Sequence, residues 1–224
     1  MTGVLIVDDQ EMIRAGLRTI LEARGELIVV DDVGDGFQAL EVLERRDDVD
    51  VVLMDIRMPG IDGVETTRRI RARYNSEQVK IIVLTTFEHD DNVIAALQAG
   101  ANGFLGKGVG PAELASGIAE VAAGGGTLSA AAAAAVIGKV TESPQAPVDA
   151  ELAARFESLT PRELDVVRAI TSGRTNEEIG QEMFVSPFTV KTHANRAMAK
   201  VGARDRAQLV VFAFQAGVTE TPRP

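Results

Sequence analysis

Val4-Leu5-Ile6-Val7-Asp8-Asp9 is an apolar run of four residues stopped by two aspartates. The same construction recurs along the chain. Val51-Val52-Leu53-Met54 runs into Asp55, Ile81-Ile82-Val83-Leu84 runs into Thr85, and Gly103-Phe104-Leu105 comes just before Lys107. A short continuous apolar run with polar ends reads as a strand buried on both faces. With a further run at 27–30, strands are expected at 4–7, 27–30, 51–54, 81–84 and 103–105. Helical periods lie between them: Ile13, Leu17, Ile20 and Leu21 after the first, Val93, Ile94 and Leu97 after the fourth, Leu114, Ile118 and Val121 after the last. Strands alternating with helices argue for a parallel sheet covered on both faces. Right-handed crossovers then leave few alternatives to a flavodoxin-like doubly wound α/β domain.

In such a sheet the carboxyl ends of the strands share one crevice, where ligands bind. Asp8, Asp9, Asp55, Thr85 and Lys107 are therefore expected to converge. Three close carboxylates repel one another unless a cation sits among them, and hard oxygen donors suit Mg²⁺. The chemistry that fits is phosphoryl transfer. Asp55 is the expected nucleophile, with Mg²⁺ on Asp9 and Asp55 and with Asp8 holding a metal-bound water or orienting Asp9. Lys107 pairs with Asp55 and then with the phosphoryl oxygens, and the Thr85 hydroxyl donates to one of them. Arg57 and Phe87, two residues beyond Asp55 and Thr85, are expected to border the path of an attacking water. His89, nearby on a loop, reads as an exposed residue without a role. No glycine fingerprint follows the first strand, which speaks against dinucleotide binding.

The 224 residues suffice for two modest domains, and a net charge of −10 conceals an asymmetry. Residues 1–150 hold 13 Lys/Arg against 24 Asp/Glu, and residues 155–206 hold 9 against 7. An acidic first part and a mildly basic second part suggest two modules, the second facing a polyanion. The absence of cysteine excludes disulfides and thiolate metal sites. No apolar run approaches the roughly 18 residues of a membrane span, and no signal core precedes the first strand, so a cytoplasmic protein is expected.

Past Gly124-Gly125-Gly126 the texture changes to an alanine run at 130–135 and then to Thr141–Asp149 with two prolines, an extended linker. The expected division is 1–124, a linker over 125–155, a helical domain over 156–217 and a tail at 218–224. Thr160-Pro161-Arg162-Glu163 begins a helix that should end at Gly173, and Thr175-Asn176-Glu177-Glu178 opens a short second one. Ser186-Pro187 starts a third, running to about Lys200, and a fourth runs from Arg204 or Asp205 to about Gly217. Four short helices with a tight turn between the second and third make a helix-turn-helix bundle. Val190, Ala194, Ala197 and Val201 form one apolar stripe on the third helix and should be core. Thr189, Lys191, Thr192, Asn195 and Arg196 then fall on other faces, as partners for base edges and phosphates. Arg196 and Lys200 are assigned to phosphates, His193 to bundle packing, and Glu163 to a structural role. Phe212 and Phe214, two apart on the fourth helix, cannot both face one core, and one is available for a dimer contact.

Val7-Asp8-Asp9, Met54-Asp55-Ile56-Arg57-Met58-Pro59-Gly60-Ile61-Asp62-Gly63, Leu84-Thr85-Thr86 and Gly100 to Lys107 resemble the receiver domains of bacterial two-component response regulators. The resemblance covers 1–124. It implies a phosphoaspartate at Asp55, a magnesium ligand from the Arg57 backbone carbonyl, and Phe104 as the switch aromatic. Gly106 and Gly108 depart from the usual leucine and acidic residue around the lysine, which would loosen its loop. Leu159–Glu163, Thr175–Ile179, Val185–His193 and Lys200-Val201-Gly202 resemble the LuxR-type helix-turn-helix of the NarL/FixJ class. That resemblance implies base contacts at Lys191, Thr192 and Asn195. The expected function is a transcriptional response regulator whose partners are a sensor histidine kinase and double-stranded DNA. A homodimer, formed around Leu209 to Ala216, would read an inverted repeat about one helical turn apart. Two alternatives stand beside it: a phosphorylation-independent DNA-binding protein with the receiver as a dimer scaffold, and an aspartate-nucleophile phosphatase. The latter needs a second aspartate where this chain has Arg57.

Overall fold

The computed structural model describes residues 1–23, 25–85, 91–123 and 149–218. The alanine run at 130–135, the linker over 141–148, Phe87 and His89 lie outside them. The chain divides into two units, Met1–Thr127 and Leu128–Pro224.

In the first unit β1 (Thr2–Val7), β2 (Leu27–Val33), β3 (Val51–Asp55), β4 (Lys80–Thr85) and β5 (Gly103–Gly106) form one parallel sheet in the order β2-β1-β3-β4-β5. Five helices alternate with them: α1 (Glu11–Glu22), α2 (Gly36–Arg45), α3 (Gly63–Arg71), α4 (Asp91–Ala99) and α5 (Pro111–Ala122). This is the doubly wound architecture expected from the alternation of apolar runs and helical periods. Val4, Ile6, Val51, Leu53, Ile82 and Leu84 pack on one face against Leu21 of α1 and Leu114, Ile118 and Val121 of α5. At about 25 cal/mol per Å² of apolar surface removed from water, this two-sided burial is what holds the sheet.

Strand β2 runs three residues past its apolar part, and its pairing with β1 slips. Val4 lies opposite Val29, but Leu5 lies opposite Asp31 and Ile6 opposite Asp32, so Val30 is an extra residue. The slip sets Asp32 beside Ile6, on the face covered by α1, where Arg14 Nε (3.1 Å) and Arg18 Nε (3.0 Å) donate to its carboxylate. The hydrogen bonds of the two guanidiniums, that of Arg18 foremost, hold the Asp32 carboxyl below the usual carboxylate range despite the opposing effect of burial.

The second unit holds α6 (Ala150–Phe156), α7 (Pro161–Thr171), α8 (Asn176–Met183), α9 (Pro187–Val201) and α10 (Arg206–Gln215). Helix α6 occupies residues expected to be linker. It is capped by the Asp149 carboxylate, which accepts from the amides of Glu151 and Leu152, and it buries Leu152 and Phe156. Each described helix of this unit starts on a side-chain cap: Asp149, Thr160, Thr175, Ser186 and Asp205. Such caps are worth about 1 kcal/mol each and decide where helices this short begin.

Candidate functional site

Strand ends place the first group of residues. Asp8 follows β1 and is fully buried, Asp55 ends β3 at 5% exposure, and Thr85 ends β4, also buried. Lys107 follows β5 directly, and its amide donates to the Thr85 carbonyl at 2.7 Å, which ties the lysine to the end of β4. Its ammonium lies 2.6 Å from Asp8 Oδ2 and 2.9 Å from Asp55 Oδ2. Carboxylate oxygens of Asp8, Asp9 and Asp55 come within 4.8 Å of one another, with Asp9 exposed. The residues singled out from the strand ends are thus neighbours at the carboxyl end of the sheet.

The electrostatics follow from that crowding. Burial raises the Asp55 carboxyl above its ordinary value, more than the Lys107 ammonium and the Arg57 amide lower it, and the Asp8 charge adds to the rise. Burial works against the charged form of Lys107, but its hydrogen bonds to Asp8 and Asp55 prevail and its pKa is raised. Three carboxylates against one ammonium leave two negative charges in excess, which is what a divalent cation supplies. The donor set fits Mg²⁺. Beside it opens a cleft of about 510 Å³ lined by Asp9, Ile56, Arg57, Met58, Pro59 and Asp62. Arg57 is exposed there, and its amide donates to the Asp55 carboxylate. Phe104 is fully buried on β5.

Neither glycine flanking Lys107 is required by space. A Cβ at Gly108 would meet nothing within 4 Å, and one at Gly106 would make ordinary contact with Val109. The Lys107 side chain between them is held by two carboxylates.

Sequence reasoning missed the support beneath the acidic loop. Arg14 Nη1 donates to the Asp8 carbonyl at 2.7 Å while its Nε grips Asp32, so α1, β2 and the loop are tied through one guanidinium. Arg14 and Asp32 are 18 residues apart, and only the slip in β2 brings them together. The glycine at 63 has a spatial reason: a Cβ there would sit 2.2 Å from the Asp55 carbonyl oxygen.

In the second unit Val190, Ala194, Ala197 and Val201 of α9 are all buried, as their spacing requires. The opposite side carries Phe188, Asn195 and Arg196, exposed, with Thr189, Lys191 and Thr192 half-buried. Among the described residues none makes a side-chain hydrogen bond or ion pair with Lys191, Asn195 or Arg196. The Thr192 hydroxyl donates back to the Phe188 carbonyl (2.9 Å), and Thr189 pairs with Ser186. His193 is half-buried, with Nδ1 enclosed.

Lys200, expected to touch phosphate, is exposed and makes an ion pair within its own unit. Its ammonium lies 2.7 Å from the Glu163 carboxylate, which is buried, and 3.3 Å from the Ser158 carbonyl. Glu163 also accepts from the Thr160 amide. The Lys200 hydrogen bond foremost, then that amide, lower the Glu163 pKa from its ordinary 4.5 to about 2. Because the folded value is depressed, the stability contributed is complete above pH 4.5 and drains away as the pH falls toward about 2. Glu163→Gln should therefore cost about 1.5–3 kcal/mol at neutral pH, the range for hydrogen bonds to charged groups. It should also flatten the acid limb of a urea-denaturation series, and an unchanged limb would assign the acid sensitivity elsewhere.

The fourth helix offers a second copy less than expected. Leu209, Val210, Val211, Ala213 and Ala216 are buried within the unit, partly beneath α6, whose Asp149 amide donates to the Gln215 carbonyl. Phe212 and Phe214 are both half-buried.

Residues 4–119 match the family profile described as the response regulator receiver domain, and residues 157–213 match that of the bacterial regulatory proteins of the luxR family. The transcriptional regulatory protein LiaR of Bacillus subtilis (strain 168) is 38% identical over 215 residues, covering 96% of this chain and 98% of LiaR. The response regulator UvrY of Escherichia coli (strain K12) is 38% identical over 225 aligned positions, covering 97% and 96%. The crystal structure of ChrA, a response regulator of a heme-sensing two-component system, superposes with a TM-score of 0.53 at 29% identity, covering 96% and 98%. RcsB of Salmonella typhimurium, at 23% identity and a TM-score of 0.56 over 94% and 97%, shares the fold.

Proposed function

This chain belongs to the two-component response regulators that join a receiver domain to a LuxR-type DNA-binding domain, and from that premise we propose that phosphoryl transfer to Asp55 controls its hold on promoter DNA. The observation that carries this reading is the meeting of three carboxylates and Lys107 at one end of the sheet, beside an open cleft. An Asp55 oxygen attacks the phosphorus of a phosphohistidine on a sensor histidine kinase; the O–P bond forms as the P–N bond breaks, and the imidazole leaves. Lys107 follows the charge from Asp55 onto the phosphoryl oxygens, and the Thr85 hydroxyl donates to one of them. Their movement is relayed by Phe104. Asp8, Asp9, Asp55 and the Arg57 carbonyl would hold a magnesium ion, which would offset charge on the transferring oxygens. The chain acts as a regulator in the cytoplasm and not as an enzyme. Among the described residues no helix is long and apolar enough to cross a membrane, and Arg57 stands where a phosphatase has its second aspartate.

The receiver comprises 1–124, and the DNA-binding domain takes in α6 and runs from about 150 to 217. In it Lys191, Thr192 and Asn195 face the major groove, with Thr189 at the helix start and Arg196 on the phosphates. Lys200 we reassign to the Glu163 pair, since its ammonium is engaged there. Two copies on an inverted repeat complete the complex, with the outer stripe of α10 at Gln208, Phe212 and Gln215 as the contact. Phosphorylating the full chain with acetyl phosphate and titrating it onto DNA selected from a random pool tests the reading. Tighter binding is expected, and affinity indifferent to phosphorylation would favour a receiver that serves only as a scaffold.

Arg196→Ala should weaken binding to all sequences and reduce the slope of affinity against salt by about one. Asn195→Ala should instead relax preference at one base pair per half-site, losing about 1–3 kcal/mol of discrimination. A panel of operator variants separates the two, and uniform weakening by Asn195→Ala would move that residue to the phosphate backbone.

A further inference from the structure

Phe188 is 78% exposed, a large apolar ring on the surface of the helix assigned to DNA. It is the second residue of Pro187–Val201, in the turn opened by the Ser186 cap, and its carbonyl receives the Thr192 hydroxyl. Positions 188, 191, 192 and 195 are related by three, four and seven residues, so Phe188 shares one helix face with Lys191, Thr192 and Asn195. That face is opposite the buried stripe, and its cation Lys191 has no ion-pair partner among the described residues. It suits a polyanion, while the ring needs an apolar feature on that same ligand. The major groove of DNA presents one: the 5-methyl group of thymine. The N-terminal turn of a recognition helix is also the part that reaches base edges.

We infer that Phe188 reads a thymine methyl at one position of each half-site, from a place on α9 about two turns before Asn195. This rests on the reading of α9 as the DNA-facing helix. The neighbouring Phe184, 95% exposed and left-handed at φ 56°, lies in the turn and not on this face, so it serves as a control.

The test uses the full chain and a duplex selected from a random pool, in which each thymine is replaced in turn by deoxyuridine. At one position per half-site the loss of a methyl should weaken parental binding about three- to fivefold, the scale of one buried methyl group. Phe188→Ala should bind more weakly and be indifferent to that replacement, yet keep the preference set by Asn195. Phe188→Leu should recover part of the methyl effect, and Phe184→Gly, which suits the left-handed backbone, should leave it intact. Circular dichroism of each variant checks that the bundle is formed. A parent indifferent to deoxyuridine everywhere, or a Phe188→Ala variant with the full methyl effect, overturns the inference. So does loss of that effect in Phe184→Gly alone. Failure to select any preferred sequence would overturn the DNA-facing assignment itself, which separates the two failures.

Discussion

Asp55→Asn is expected to reduce phosphoryl uptake from acetyl phosphate to background while the receiver stays folded. The amide keeps the shape of the side chain and its acceptor for the Arg57 amide, but a carboxamide oxygen is a poor nucleophile and a weaker magnesium ligand. Stability should hold or rise. Burial raises the Asp55 carboxyl in the folded chain, so its charged form opposes folding at neutral pH, and a neutral isostere removes that opposition. Lys107 keeps its 2.6 Å contact with Asp8. Label uptake at the parental rate would pass the acceptor role to another carboxylate, Asp9 being the exposed one in the cluster.

The second large effect is expected from a single methyl group. In Gly63→Ala the new Cβ meets the Asp55 carbonyl oxygen at 2.2 Å and the Ile56 Cα at 3.0 Å, both main-chain atoms that no side-chain rotation can clear. The Gly63 amide donates to the Ile56 carbonyl at 2.8 Å, so α3 cannot retreat without breaking that bond. A loss of about 3 kcal/mol is expected, at the upper end of overpacking costs, with a matching fall in phosphoryl uptake because Asp55 itself must shift. Gly108→Ala, which projects into open space, is the control and should unfold at the parental urea concentration. Equal behaviour of the two variants would show that the loop after β3 yields freely.

The strands were legible because the apolar runs of β1, β3, β4 and β5 are buried on both faces, while β2, which leaves Ile28 exposed, showed only as a short apolar run. The pocket was legible because strand ends in a parallel sheet have only one place to go. What escaped depends on pairs far apart in sequence. Lys200 read as a surface cation on a DNA-binding helix, and nothing near it announces Glu163, 37 residues earlier. Helix α6 was masked by the prolines and alanines before it, although Asp149 followed by Leu152 and Phe156 is a cap with an apolar i, i+4 pair. Strand β2 was cut short at residue 30 because Asp31 and Asp32 look like a loop. They are strand because arginines on α1 compensate one of them.

That slipped strand also bears on which surfaces two copies can share. A sheet with open edges invites another chain to add a strand, and β2 and β5 are the edges here. On β2 the extra Val30 breaks the regular row of amides and carbonyls, and two carboxylates follow at once. On β5 only four residues are in strand conformation, two of them glycine. Neither edge is a good template, so sheet extension, with its risk of open-ended polymers, is suppressed. What the receiver offers another chain is therefore its helical faces and not its strand edges.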